Sequence, residues 1–204
     1  MTKKKENKIN SLYVHVPFCE HICAYCDFPK LIKNSIFIEP YLKALLHELD
    51  SKNIDKVKTI YIGGGTPTSL DVNDLELLLS KLNKFLDKEY EFTIESNIES
   101  LSLNKINILK KYGINRISLG IQSFKDDVLK YLGRKHNKEQ CINLVKLLKD
   151  NGFTNINCDL IYGIEISTLE QIKEDLDILL SLDITHISTY SLIIEIKYGN
   201  ETEE

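Results

Sequence analysis

Apolar residues along the chain gather into six short runs separated by stretches of helical spacing. Leu12 to Val16 is apolar and β-branched and is expected as a buried strand, ended by Pro17, which has no N–H to offer a ladder. Runs 57–62, 92–95, 115–121, 154–162 and 184–194 read as further strands. Between them apolar positions recur every three or four residues. Leu42, Leu45, Leu46 and Leu49 mark a helix over 39–49, and Leu75, Leu78, Leu79 and Leu82 a second one begun by Asp71 and Asp74. A third helix over 103–112 stops at Gly113, where a left-handed residue is needed. Two helices follow the fourth strand. A short one runs from the capping pair Ser123 and Asp126 to Gly133, and one over 137–149 carries Ile142, Val145 and Leu148 ahead of Gly152. Ser167 with Glu170 is expected to cap the next, with Leu169, Ile172, Leu176, Leu179 and Leu180 on its face.

Alternation of strand and helix predicts an α/β fold with a parallel sheet and helical crossovers. Six units fit an open partial (β/α)6 barrel rather than a closed eight-stranded one. Residues 11–195 form one domain in this reading, after an N-terminal segment 1–10 and before a polar tail 196–204. In such folds ligands bind at the carboxyl ends of the strands. Those ends carry a cysteine loop, a glycine-rich turn, Glu95, Gln122, Tyr162 and Tyr190.

Composition narrows the class. Of the 204 residues 43% are hydrophobic and 27% charged, as in an ordinary globular protein, and a net charge of −4 argues against a nucleic-acid partner. Lys3-Lys4-Lys5 is followed by too little apolar sequence for a signal peptide, and no run is long enough to span a bilayer. A cytoplasmic protein is expected.

The candidate chemistry starts at Cys19, Cys23 and Cys26, three of five cysteines, crowded on one loop after the first strand. Close thiolates can hold a soft metal centre. Three of them suit an iron–sulfur cluster with one iron left open. A structural zinc site would need a fourth ligand, and His15 within the strand and His21 inside the loop are poorly placed for it. Cys141 in a helix and Cys158 in a strand read as small core residues. Gly63-Gly64-Gly65-Thr66-Pro67 lacks the Lys and Ser/Thr of a phosphate loop. It is either a tight turn or a place where a ligand comes close to the backbone. Glu95, Gln122 and Asp159 offer groups for sugar hydroxyls or an ammonium, and each has an alternative as a cap or loop residue. Asp159 lies in an apolar strand and so needs a partner. Arg134, past the Gly133 stop, is either a helix-dipole partner or a carboxylate clamp.

Cys19-x3-Cys23-x-Tyr25-Cys26 resembles the signature of radical S-adenosylmethionine enzymes. Tyr13-Val14-His15-Val16-Pro17-Phe18-Cys19, Tyr61 to Thr68, Asn115 to Phe124, Leu132 to His136 and Asp159 to Gly163 narrow the resemblance to the coproporphyrinogen-dehydrogenase-like (HemN/HemW) group. The resemblance implies a [4Fe–4S] cluster on Cys19, Cys23 and Cys26, with S-adenosylmethionine chelating the open iron and yielding a 5′-deoxyadenosyl radical. It also implies Tyr13 and Tyr25 against cluster and cofactor. Gly64, Gly65 and Thr66 would hold the methionine amino end, Arg134 its carboxylate, and Glu95, Gln122 and Asp159 the remaining polar groups.

Two functions compete within that group. Its dehydrogenases usually carry another cysteine two residues after the triplet; Phe28 stands there, as in the haem-binding chaperones. The resemblance therefore implies a haem chaperone in porphyrin metabolism. Its partners would be haem or porphyrin, a reductant such as flavodoxin or ferredoxin, and a haem acceptor protein. The alternatives are an oxygen-independent coproporphyrinogen III oxidase and, more distantly, a zinc-binding module or non-catalytic fragment. Ile98 stands where the group usually has Pro, and Ile164-Glu165-Ile166-Ser167 replaces a Leu-Pro-Gly-Gln-like turn. The chain is expected to lack the group's last helix and C-terminal domain, as a fragment, a split product or a decayed copy would.

Overall fold

The structure is a computed structural model describing residues 9–193. Its main sheet has six parallel strands: β1 (Ser11–Val16), β4 (Val57–Gly64), β5 (Leu86–Ser96), β6 (Arg116–Gln122), β7 (Asn155–Tyr162) and β8 (His186–Ser191), in that spatial order. A second parallel ladder of two residues per strand joins β2 (Phe18–Cys19) to β3 (Leu31–Ile32). The helices are α1 (Ser35–Ser51), α2 (Val72–Leu82), α3 (Leu103–Lys111), α4 (Asp126–Tyr131), α5 (Lys138–Asp150) and α6 (Leu169–Ser181).

The main-strand order never reverses. Right-handed crossovers therefore place successive helices on one side of the sheet and leave the other side open. Side chains alternate to match. Ile60, Ile62, Phe92, Ile94, Ile117, Leu119, Ile156 and Cys158 are all fully buried, in one core with Leu75, Leu78, Leu79 and Leu82 of α2, Ile106 and Leu109 of α3, and Val145 and Leu148 of α5. Each such side chain contributes about 1.5–3 kcal/mol when withdrawn from water. The alternate positions carry Tyr61, Thr93, Glu95, Arg116, Ser118, Asn157, Asp159 and Ser188. Strand register sets Glu95 beside Ser118, Ser118 beside Asn157, and Asp159 beside Ser188. The result is the α/β partial barrel expected from the sequence, with an apolar outer face and a polar inner one.

Several details differ from the expectation. β1 is only half-buried, because it is an edge strand whose Tyr13 points away from the core. α1 begins four residues early, since Asn34 caps it by accepting the Ile36 N–H at 3.0 Å, and Pro40 lies inside it. Ser123 is not a cap: its hydroxyl donates to buried Asp175 of α6 at 2.6 Å, and Asp126 accepts the Lys138 N–H. The cap of α6 is Thr168, in a reciprocal pair with Gln171, one residue past the expected Ser167. On that helix Leu179 is buried while Leu169 and Leu180 face solvent. Gly113, Gly133 and Gly152 do end their helices at positive φ. The last strand closes at Ser191; Ile194 and the tail 196–204 fall outside the described residues, as does the segment 1–10 apart from Ile9 and Asn10.

Candidate metal centre

The cysteine loop leaves the end of β1 and is tied at both ends. Leu31 N–H donates to Pro17 O at 2.8 Å and Lys33 N–H to Cys19 O at 2.7 Å, which closes the loop on the β2–β3 ladder. His15 braces it from β1, with Nε2 donating to Pro29 O at 3.0 Å and Nδ1 accepting the Tyr13 hydroxyl at 3.0 Å. Both imidazole nitrogens are thus engaged. All five cysteines are free thiols. Burial raises the Cys141 thiol to about 12 and pushes up that of Cys158, so both are inert core groups, as expected.

A cavity of about 740 Å³ opens over the carboxyl ends of the strands and down the inner face. Cys19, Cys23 and Cys26 line it with Tyr25, Gly64, Gly65, Thr66, Glu95, Gln122, Arg134 and Asp159. Tyr13 does not: it is 58% exposed and stacks on Tyr61, whose ring does line the cavity. Tyr162 is likewise outside, whereas Tyr190 is inside and donates to Gln122 Oε1 at 2.6 Å. Gln122 sits at a β-bulge with φ of 75°, a left-handed conformation that turns its side chain back into the cavity.

The glycine turn is shaped by its neighbours. A Cβ on Gly65 would lie 2.6 Å from the Pro17 carbonyl, and one on Gly64, at φ of +117°, 2.7 Å from the His15 ring. Three of the turn's N–H groups are already taken. Gly64 donates to Glu95 Oε2 at 3.0 Å, Gly65 to Val16 O at 2.8 Å and Thr66 to Phe18 O at 2.9 Å. The N–H groups of Gly64, Gly65 and Thr66 are therefore not available to a ligand.

Glu95 also accepts the Tyr61 hydroxyl at 2.7 Å. Burial raises its carboxyl, partly offset by Tyr61 and Gly64. Asp159 has the partner its setting required, Asn157 Nδ2 at 2.7 Å, and burial raises its carboxyl too. Arg134 is 8% exposed. Its Nη2 donates to Gly120 O at 2.8 Å and Asn97 Oδ1 at 2.9 Å, which uses both of that nitrogen's protons. Nη1 faces Cys23 Sγ at 3.4 Å and Tyr25 Oη at 3.5 Å, and Nε is buried without a partner.

Sequence reading missed Asn97, Glu99, Tyr61 and the polar rungs Arg116, Ser118, Asn157 and Ser188. The period-two alternation of polar residues within β4 to β8 was the available signal for the rungs. Glu99 reaches both His136 Nδ1 at 3.4 Å and His21 Nε2 at 3.6 Å, linking the cysteine loop to the segment after α4. Burial works to raise its carboxyl, but His136 and Arg134 outweigh it and hold it at about 2.

A family model for the radical SAM superfamily matches residues 13–179. The chain belongs to the radical SAM superfamily. The radical SAM cofactors are a [4Fe–4S] cluster and S-adenosylmethionine, and the donor set fits them. It offers three thiols on one loop, hydrogen-bond donors directed at two of the sulfurs, an orphaned guanidinium N–H and a glycine turn lining the same cavity. Among the described residues no group of three or more His, Cys, Asp or Glu converges to hold a single metal ion. The haem chaperone HemW of Lactococcus lactis is 45% identical over 92% of this chain and 50% of that protein, and HemW of Bacillus subtilis is 42% identical over 93% and 52%. The chain spans about half the length of these curated relatives. Among solved structures, the radical SAM enzyme coproporphyrinogen III oxidase (HemN) of Escherichia coli superimposes with a TM-score of 0.83 at 30% identity, over 91% of this chain and 44% of that one. No helix among the described residues is long and apolar enough to cross a membrane.

Proposed function

We propose that this chain is the cluster- and cofactor-binding half of a HemW-type haem chaperone acting in the cytoplasm. The observation that carries the choice is Phe28, 70% exposed at the cavity wall, where the group's dehydrogenases place a further cysteine. Cys19, Cys23 and Cys26 hold the cluster, and Gly64 and Gly65 offer carbonyl oxygens to the methionine ammonium. Arg134 meets the methionine carboxylate through a single N–H, that of the unpartnered Nε. The two-pronged grip expected from sequence would require Nη2, which is already committed. Glu95, Gln122 and Asp159 take the remaining polar groups, Tyr25 and Thr66 flank the cluster, and Tyr13 backs the Tyr61 ring. Cluster and S-adenosylmethionine, when bound, supply one-electron cleavage of the sulfonium. The protein's part is orientation and exclusion of water. Haem, a one-electron donor such as flavodoxin or ferredoxin, and a haem acceptor are the partners of the whole protein.

A second reading is favoured by the likeness to HemN: an oxygen-independent coproporphyrinogen III oxidase. Anaerobic assays of haem binding and of coproporphyrinogen III decarboxylation separate the two. They should be run on this chain and on a version extended through any downstream reading frame. Haem binding without decarboxylation is the expected result. Decarboxylation by either protein would overturn the chaperone assignment.

A further inference from the structure

We propose that Asn97 is a positioning residue that aims hydrogen-bond donors at two of the three cluster sulfurs, one through Thr66 and one through Arg134. The inference rests on the reading of Cys19, Cys23 and Cys26 as cluster ligands. Donor and acceptor roles follow from one fixed point. A guanidinium has only N–H donors, so its 2.9 Å contact from Nη2 fixes which end of the Asn97 amide is oxygen. The other end, Nδ2, must then donate, and it meets Thr66 Oγ1 at 3.0 Å. With a proton arriving at that oxygen, the hydroxyl's own proton is free for Cys19 Sγ, 3.5 Å away. The same guanidinium directs Nη1 at Cys23 Sγ, 3.4 Å away.

The relay has little freedom to rearrange. Thr66 is 3% exposed and Arg134 8%. The guanidinium is pinned by Gly120 O, and Asn97 is held by its own N–H donating to Ser100 Oγ at 3.2 Å. Among the described residues' hydrogen bonds none reaches Cys26 Sγ, so the three sulfurs are treated unequally. Hydrogen bonds to cluster sulfurs stabilise the more negative, reduced cluster and raise its potential. Asn97 thereby sets the potential without touching iron or cofactor.

The test is iron and sulfide content, then the midpoint potential of the anaerobically reconstituted protein. It compares wild type with Asn97→Asp, Thr66→Val, Thr66→Ser and the Asn97→Asp/Thr66→Val pair. Aspartate keeps the shape of asparagine but cannot donate, so Thr66 would turn its proton toward the carboxylate and away from Cys19. Iron content should hold, and the potential should become more negative in Asn97→Asp and in Thr66→Val. It should stay near wild type in Thr66→Ser, which keeps the hydroxyl. Aspartate should shift the potential less when Thr66 is already valine, because the shared path is gone. An equal aspartate shift with and without the hydroxyl would assign the effect to added charge alone and overturn the proposal. Where Asn97→Asp fails to load iron, the valine and serine variants decide, and equal potentials in wild type and Thr66→Val overturn it. Wild-type protein that takes up no iron would overturn the cluster reading itself, an outcome visible before any potential is measured.

Discussion

Tyr61 and Glu95, on neighbouring strands of the inner face, are joined at 2.7 Å, the hydroxyl donating to Oε1 while Gly64 N–H holds Oε2. The carboxylate is thereby fixed at the foot of the glycine turn, in a setting whose burial raises its pKa. Without cofactor, its ionised form is a liability. A carboxyl raised in the folded state penalises folding above that raised value, and the penalty vanishes below the ordinary carboxyl range. Glu95→Gln can keep both contacts, accepting from Gly64 and donating to Tyr61. The cofactor-free variant should therefore melt higher than wild type at neutral pH, and the difference should close as the pH falls toward 4. Thermal melts across that range check the sign, and binding of S-adenosylmethionine should weaken in the same variant.

Asp175 ties α6 to the turn after β6, accepting from Ser123 Oγ at 2.6 Å and Phe124 N–H at 3.1 Å. Asp175→Ala would leave a buried hydroxyl and a buried N–H without an acceptor. Each such loss costs about 1–3 kcal/mol. Urea unfolding should show a lower midpoint with little change in slope.

Gly65→Ala would drive a methyl group against the Pro17 carbonyl, where backbone must move rather than a flexible side-chain end. Overpacking of this kind costs about 1–3 kcal/mol. The strain falls on the segment leading to Cys19, so the variant should lose iron faster than wild type at the same temperature. Alanine at Gly133, whose Cβ position has nothing within 4 Å, is the control: it meets only the penalty of its positive φ of 73° and should keep its iron.

Glu99 predicts an acid limit. His136 and Arg134 hold its carboxyl at about 2 against an ordinary value of 4.5. A depressed carboxyl adds stability that is complete above its ordinary value and is lost as the pH falls through the depressed one. Denaturation between pH 4.5 and 2 should therefore be steeper in wild type than in Glu99→Gln. An equal slope would mean that Glu99 is not ionised between its two histidines.

The parallel sheet with helical crossovers, the open partial barrel and the ligand cavity at the strand ends were legible in the sequence, because crossover handedness leaves few topologies for six alternating units. The cysteine triplet and Asp159's need for a partner were legible for a chemical reason: each is costly or reactive unless matched. Less legible were side chains whose role depends on register. Tyr13 belongs to an edge strand and falls outside the cavity, while Tyr61, its neighbour across the ladder, falls within it. Ser123 looked like a local cap, but its partner Asp175 is 52 residues away, beyond any capping pattern. Asn97 stood only within the Glu-x-Asn pattern ahead of Ile98, with nothing in the sequence to show its role, since that role lies in two groups from distant parts of the chain, Thr66 Oγ1 and Arg134 Nη2, meeting at one amide.

The central claim is that Cys19, Cys23 and Cys26 hold a cluster whose open iron takes S-adenosylmethionine. The most direct measurement is the EPR spectrum of the anaerobically reconstituted, reduced protein, with and without saturating S-adenosylmethionine, alongside metal analysis. The account predicts roughly four irons per chain. Iron should be lost on substitution of any of the three cysteines and kept in Cys141→Ala and Cys158→Ala, and the cofactor should change the spectrum. Stoichiometric zinc without iron, or a spectrum unaltered by the cofactor, would contradict it.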